Sequence, residues 1–119
     1  MLGGRVVVVA GHGGVFTAVA RLLVAEDALV AMVTTEADGP EVAARFRADP
    51  ADRQVWDRVI PHVEQRLGPI DAAITDASVR AIADQLIAPD LARRGHGAIL
   101  TVDDSSSADD VLRKLADTL

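Results

Sequence analysis

Residues 5–10 (R-V-V-V-V-A) form an unbroken β-branched run, and a glycine-rich stretch follows at once. A strand that is apolar on both faces belongs in the middle of a parallel sheet covered by helices. Beyond the glycines, Val15, Val19, Leu22 and Leu23 recur at helical spacing and predict a helix to about Glu26. Residues 29–33 predict a second strand, broken by the run T-T-E-A-D-G-P at 34–40. Residues 42–47 predict a short third strand. Asp49-Pro50 has the form of a helix start, with Asp as the cap and Pro at the first helical position. That helix carries Val55, Trp56, Val59, Ile60, Val63 and Leu67. It stops at Gly68, and Pro61 should bend it. Residues 70–75 predict a fourth strand. Residues 79–94 predict one helix containing Pro89, with Ile82, Leu86, Ile87 and Leu91 on one side and Gly95-His96-Gly97 as its stop. Residues 98–102 predict a fifth strand, 103–107 a polar loop, and 108–119 a last helix bearing Val111, Leu112, Leu115 and Leu119.

Strands alternating with helices imply βαβ units. The expected fold is therefore α/β, a Rossmann-like three-layer α/β/α arrangement around a parallel sheet of about five strands. At 119 residues, 1–119 reads as a single domain. Aromatic residues are only Phe16, Phe46 and Trp56, so the core must be built from Val, Leu, Ile and Ala. The absence of cysteine excludes disulfides, thiol catalysis and cysteine-ligated zinc. Twelve basic against eighteen acidic residues leave a net charge of −6, which argues against a nucleic-acid partner. No apolar run is long enough for a membrane span and no signal-peptide pattern opens the chain, so the expectation is a cytoplasmic protein.

In a doubly wound sheet, ligands bind beyond the carboxyl ends of the strands. The segments to weigh are thus 11–15, 34–36, 49–50, 75–78 and 103–107. Gly11-His12-Gly13-Gly14-Val15-Phe16 nearly fits the G-x-G-x-x-G turn, in which backbone N–H groups and a helix N-terminus hold a pyrophosphate. Its last position is Phe16 rather than glycine. The bland alternative is a tight turn with no ligand. Glu36 stands twenty residues beyond Phe16, where a carboxylate would accept from a ribose 2′-hydroxyl, and Thr34 could do a weaker version of that task. Asp76, Asp103 and Asp104 should cluster at the carboxyl edge near Glu36, and repulsion should raise one of their pKa values. They could serve as general acid and base, or as oxygen ligands for a divalent cation, or simply as solvated loop and helix-cap residues beside Ser105, Ser106 and Ser107. His12, His62 and His96 are scattered, and no pair has metal-ligand spacing.

Taken in order, five segments resemble the short-chain dehydrogenase/reductase family in abbreviated form. V-V-V-V-A-G-H-G-G-V-F-T-A-V-A-R-L-L-V-A-E-D-A resembles its first strand, glycine loop and first helix, with the loop about one residue short of T-G-x-x-x-G-x-G. F-R-A-D-P-A-D resembles its strand-then-Asp segment, and L-G-P-I-D-A-A-I-T-D-A-S its G-x-x-D-x-L-V-N-N-A-G. L-I-A-P-D-L-A-R-R-G-H-G-A-I-L-T-V-D-D-S and D-V-L-R-K-L-A-D-T-L resemble the segments that follow. The resemblance implies NAD or NADP as cofactor, bound weakly or not at all, with Gly11, His12, Gly13, Gly14, Thr34, Asp49 and Ala77 as the residues near it. Asp49 takes the place of the carboxylate that accepts from the adenine amino group. The next residue's N–H normally donates to the ring, and Pro50 has none. One hydrogen bond worth about 0.5–1.5 kcal/mol is lost.

At the catalytic end the resemblance fails. The family's proton donor is a tyrosine with a lysine four residues later, aided by a serine. This chain has no tyrosine, and its one lysine is Lys114 in the last helix. Nothing of the usual kind stabilises a developing alkoxide, so standard reductase activity is not expected. Three readings stay open. One is a degenerate nucleotide-binding oxidoreductase-like protein, in effect a pseudoenzyme. The second is a non-redox cyclase, dehydratase or isomerase working through Asp76, Asp103, Asp104 and Ser105. The third is a non-catalytic partner subunit. The family's four-helix interface implies a homodimer or tetramer through 79–94 and 108–119, and a small three-layer domain has few residues to cover its faces.

Overall fold

The computed structural model describes residues 2–36 and 39–119. Within the polar break at 34–40, Ala37 and Asp38 lie outside the described residues. Five strands, β1 (Val6–Ala10), β2 (Leu29–Thr34), β3 (Ala44–Arg47), β4 (Ala72–Thr75) and β5 (Ala98–Thr101), form one sheet in the order β3-β2-β1-β4-β5. Every pairing is parallel. The helices are α1 (Gly14–Ala25), α2 (Arg53–Arg66), α3 (Ala77–Leu86), α4 (Ala88–Arg94) and α5 (Ala108–Thr118).

The valine run explains the architecture. Alternate residues of β1 enter two separate cores. Val7 and Val9 pack with Phe16, Val19 and Leu23 of α1 and Val111 and Leu115 of α5. Val6 and Val8 pack with Trp56, Val59 and Val63 of α2 and Val79 and Ala83 of α3. The sheet is thus the middle of three layers, as the sequence implies. The strand order reverses between β2-β1 and β1-β4, the switch point beside which open α/β sheets generally bind ligands.

Two local expectations are corrected. The second helix starts at Arg53, and its cap is Asp52, whose Oδ1 accepts from the Gln54 N–H at 3.0 Å. Asp49 instead closes a turn by accepting from the Ala51 N–H at 2.9 Å. Two acids three residues apart can each cap locally, and the chain uses both. The helix then runs on through Pro61. Residues 79–94 are two helices rather than one. The chain turns at Ile87, and Pro89 stands in the first turn of α4, where its missing N–H needs no partner.

Among the described residues Val24 is the one exposed large hydrophobic side chain. On α3 and α5, Val79, Ala83, Val111 and Leu115 are buried within the chain, and Ile82, Leu86 and Leu112 are partly buried. No helix among the described residues is long and apolar enough to cross a membrane.

Thr75 ends β4 fully buried, and its hydroxyl has no hydrogen-bond partner among the described residues. An unpaired buried hydroxyl costs about 1–3 kcal/mol. Thr75→Val, which keeps the shape and removes the hydroxyl, should therefore stabilise the fold by about 1 kcal/mol. Thermal unfolding should show a melting temperature a few degrees higher. A lower one would mean that the hydroxyl is satisfied.

Candidate functional site

The turn after β1 lies at the switch in strand order. The backbone at Gly13 adopts φ 107°, a conformation open to glycine, and as the N-cap of α1 it supplies no side-chain acceptor. The acceptor comes from just beyond β2. The Gly13 N–H donates to Glu36 Oε1 at 2.6 Å. A carboxylate here meets both an unpaired backbone donor and the positive end of the helix. Glu36 is itself positioned by the Thr34 hydroxyl, which accepts from the Glu36 N–H at 3.2 Å. The expected ribose acceptor is therefore engaged with the glycine turn.

Gly11 also has an internal partner. A Cβ on Gly11 would come within 2.5 Å of the Phe16 ring tip. Phe16 is 2% exposed and belongs to the core beneath the turn. The missing third glycine and the retained first one are thus a single packing arrangement. Gly14 opens α1 with free space around it. His12 is exposed; its Nδ1 lies 3.5 Å from Thr34 Oγ1 and 3.3 Å from Thr35 Oγ1, and its Nε2 lies 3.8 Å from Asp49 Oδ1. Gly13, His12, Thr34, Glu36 and Asp49 are therefore linked around one corner.

On the β4–β5 side, His12, Phe16, Asp76, Ala77, Asp103 and Asp104 border an open crevice of about 400 Å³. The three acids do come together, but two of them are tied up locally. Asp76 caps α3, accepting from the Val79 N–H at 3.0 Å and the Ser78 hydroxyl at 2.6 Å. Asp103 Oδ1 accepts from the Ser105 N–H at 2.9 Å and the Ser105 hydroxyl at 2.6 Å. Those bonds, with Ser106 adding to them, hold the Asp103 carboxyl below its ordinary 3.8, so Asp103 is not a member of the trio whose pKa is raised. A depressed carboxyl adds stability above its unfolded pKa and loses it as the pH falls through the lower folded value. Asp103 stays ionised near neutrality and is a poor proton donor. Asp104 is the third acid. Its Oδ1 lies 3.6 Å from where a Cβ on Gly13 would sit. A pyrophosphate entering this turn would face the carboxylates of Glu36 and Asp104, and the residues present do not fit it as they stand.

Among the described residues no group of three or more His, Asp or Glu side chains could hold a metal ion. Ser107 caps α5 through the Asp110 N–H. Lys114 borders a second crevice of about 300 Å³ with Asp103, Ser105 and Ser106. Sequence reasoning missed Arg80, which donates to the Ile99 carbonyl at 3.1 Å and to Thr101 Oγ1 at 3.0 Å. Only the topology brings it to β5, so no local signal could have marked it. The Gly11–Phe16 pairing was more accessible, since a bulky residue five positions beyond a buried glycine needs somewhere to pack.

Solved structures supply the comparison. A C-terminal deletion mutant of aldohexose dehydrogenase from Thermoplasma acidophilum superposes over 98% of this chain with a TM-score of 0.74 and 17% identity. The fold is that of the short-chain dehydrogenases. A Bacillus anthracis short-chain dehydrogenase matches over 91% of the chain, with a TM-score of 0.72 and 15% identity. L-sorbose reductase from Gluconobacter frateurii, complexed with NADPH and L-sorbose, matches over 82%, with a TM-score of 0.69 and 18% identity. The chain spans 56%, 60% and 51% of those three proteins. No protein-family model and no curated protein matches it. This chain thus shares the short-chain dehydrogenase fold over part of those proteins' length, with its glycine turn directly after β1.

The packing account of the turn predicts a coupling. Gly11→Ala should destabilise by about 1–3 kcal/mol through overpacking against Phe16. In a Phe16→Leu background, which lacks the ring atoms that clash, the same substitution should cost less than half as much in urea unfolding. Equal costs in the two backgrounds would separate Gly11 from Phe16.

Proposed function

We propose that this chain is a non-reductase domain of short-chain dehydrogenase fold, one that binds a nicotinamide dinucleotide only weakly and carries out no carbonyl reduction by the usual route. The observation that carries this reading is the Gly13 N–H held by Glu36. A diphosphate must displace that carboxylate and approach Asp104 before it gains any bond from the turn. Such a bond to a charged group is worth about 1.5–3 kcal/mol, which is comparable to what is lost. Two further features support the reading. The chain has no tyrosine, and its one lysine borders the crevice beside α5 rather than the glycine turn. What remains favourable lies on the adenosine side, where Thr34, Asp49 and His12 are grouped.

The acid–base alternative has one observation in its favour, the shared crevice of Asp76, Asp103 and Asp104. Asp104 is then the residue to act, because Asp76 and Asp103 serve the backbone around them. A homodimer or tetramer through α3–α4 and α5 is also part of the proposal. It would join outer helix faces that are largely polar.

Trp56 gives a built-in reporter. Its indole N–H donates to the Pro50 carbonyl at 2.8 Å, directly behind Asp49. Titration of NADH and NADPH, followed by Trp56 emission and by melting temperature, should give dissociation constants in the millimolar range. Glu36→Ala should tighten binding about tenfold by freeing the Gly13 donor. Micromolar binding by the unaltered chain, or ketone reduction coupled to either nucleotide, would overturn the proposal.

A further inference from the structure

The edge of the sheet at β3 differs in charge from the rest of the molecule. Ala48 donates its N–H to the Thr34 carbonyl of β2. By alternation along the strand, Arg45 and Arg47 turn their N–H and C=O groups to the free edge. Beside that edge runs a groove of about 370 Å³ between β3 and α2. Arg45, Arg47 and Arg58 border it, with Phe46, Val59 and His62 as its floor and wall. Phe46 and His62 meet edge to face, with ring centres 5.2 Å apart. Three of the chain's twelve basic residues thus border one groove, and no acid does, in a chain of net charge −6. Among the described residues neither Arg47 nor Arg58 has a carboxylate within 4.0 Å.

We propose that the β3 edge docks an acidic, extended peptide as a sixth strand. The backbone groups of Arg45 and Arg47 would pair with it, as in other cases where a peptide extends a sheet. Residues of the added strand alternate between two faces. On the face of Arg45 and Arg47 its side chains should be carboxylates. On the α2 face they should be small and apolar, fitting over Phe46 and Val59 beside Arg58. The occupant is a strand alternating acidic and apolar positions, about four residues long to match β3. A second copy of this edge is disfavoured, because arginines would then stand opposite arginines. A single-stranded nucleic acid lacks a stacking platform, since Phe46 is already packed against His62. This inference is independent of the glycine turn and its nucleotide.

The test uses the full chain and an end-blocked, fluorescein-labelled nonapeptide of alternating Glu and Val, read by fluorescence anisotropy. An alternating Lys-Val nonapeptide and a twelve-residue oligo-dT serve as comparisons. The expected result is saturable binding of the Glu-Val peptide alone. Raising salt from 50 to 500 mM, or the exposed-site double variant Arg47→Glu/Arg58→Glu, should weaken it about tenfold. Hydrogen exchange on the unaltered chain should show new protection at the Arg45 and Arg47 amides, a readout that does not depend on how any variant folds. No saturation at millimolar peptide, no added amide protection, undiminished binding by a folded double variant, or preferential capture of oligo-dT would each overturn the proposal.

Discussion

The structure depends on β1 being buried on both faces. No residue from Val6 to Ala10 is more than 3% exposed, and alternate side chains feed the two cores. That burial forces β1 to the middle of the sheet and demands helices above and below. It also delivers the turn at Gly11–Gly14 to the point where the strand order reverses. The fold and the location of the candidate site follow from the same run of valines.

The acids at that edge follow from the helices. In this architecture each helix runs back against the strands, so helix N-termini gather where strands end. Each N-terminus carries unpaired N–H groups and a partial positive charge. Here the four helices that follow a strand are each met by a side-chain oxygen, while α4, which follows α3, has no side-chain cap. Glu36 serves α1, Asp52 serves α2, Asp76 serves α3 and Ser107 serves α5. Of the acids bordering the crevice, Asp76 answers a helix N-terminus and Asp103 closes its own loop through Ser105. In this chain the backbone donor of the glycine turn is met by its own side chain, Glu36.

Much of this was legible in the sequence. Runs such as V-V-V-V and L-V-A-M-V, set against helical spacings in α1, α2 and α5, specify strands and helices because burial on two faces and on one stripe leave different patterns. The five strands and their three-layer packing emerge as expected. What was less legible depends on competition between near neighbours. Asp49 and Asp52 are both good caps, and only the path of the chain shows which one starts α2. The break at Ile87 is hidden inside an apolar stripe that continues across it. At the site, the spacing of Glu36 from the glycines marked it as important, but its partner could not be read from spacing. The contact with Gly13 joins residues 23 apart through the geometry of β1 and β2. Arg80 at β5 and the arginine-lined groove at β3 depend in the same way on which strands lie at the edges.

The central claim is that Glu36 occupies the donor of the glycine turn. The most direct measurement is the Gly13 amide signal, followed by NMR in the unaltered chain and in Glu36→Ala without any nucleotide. The account predicts a downfield, exchange-protected Gly13 amide that moves upfield and loses protection when the carboxylate is removed. A Gly13 amide unchanged by the substitution would contradict it.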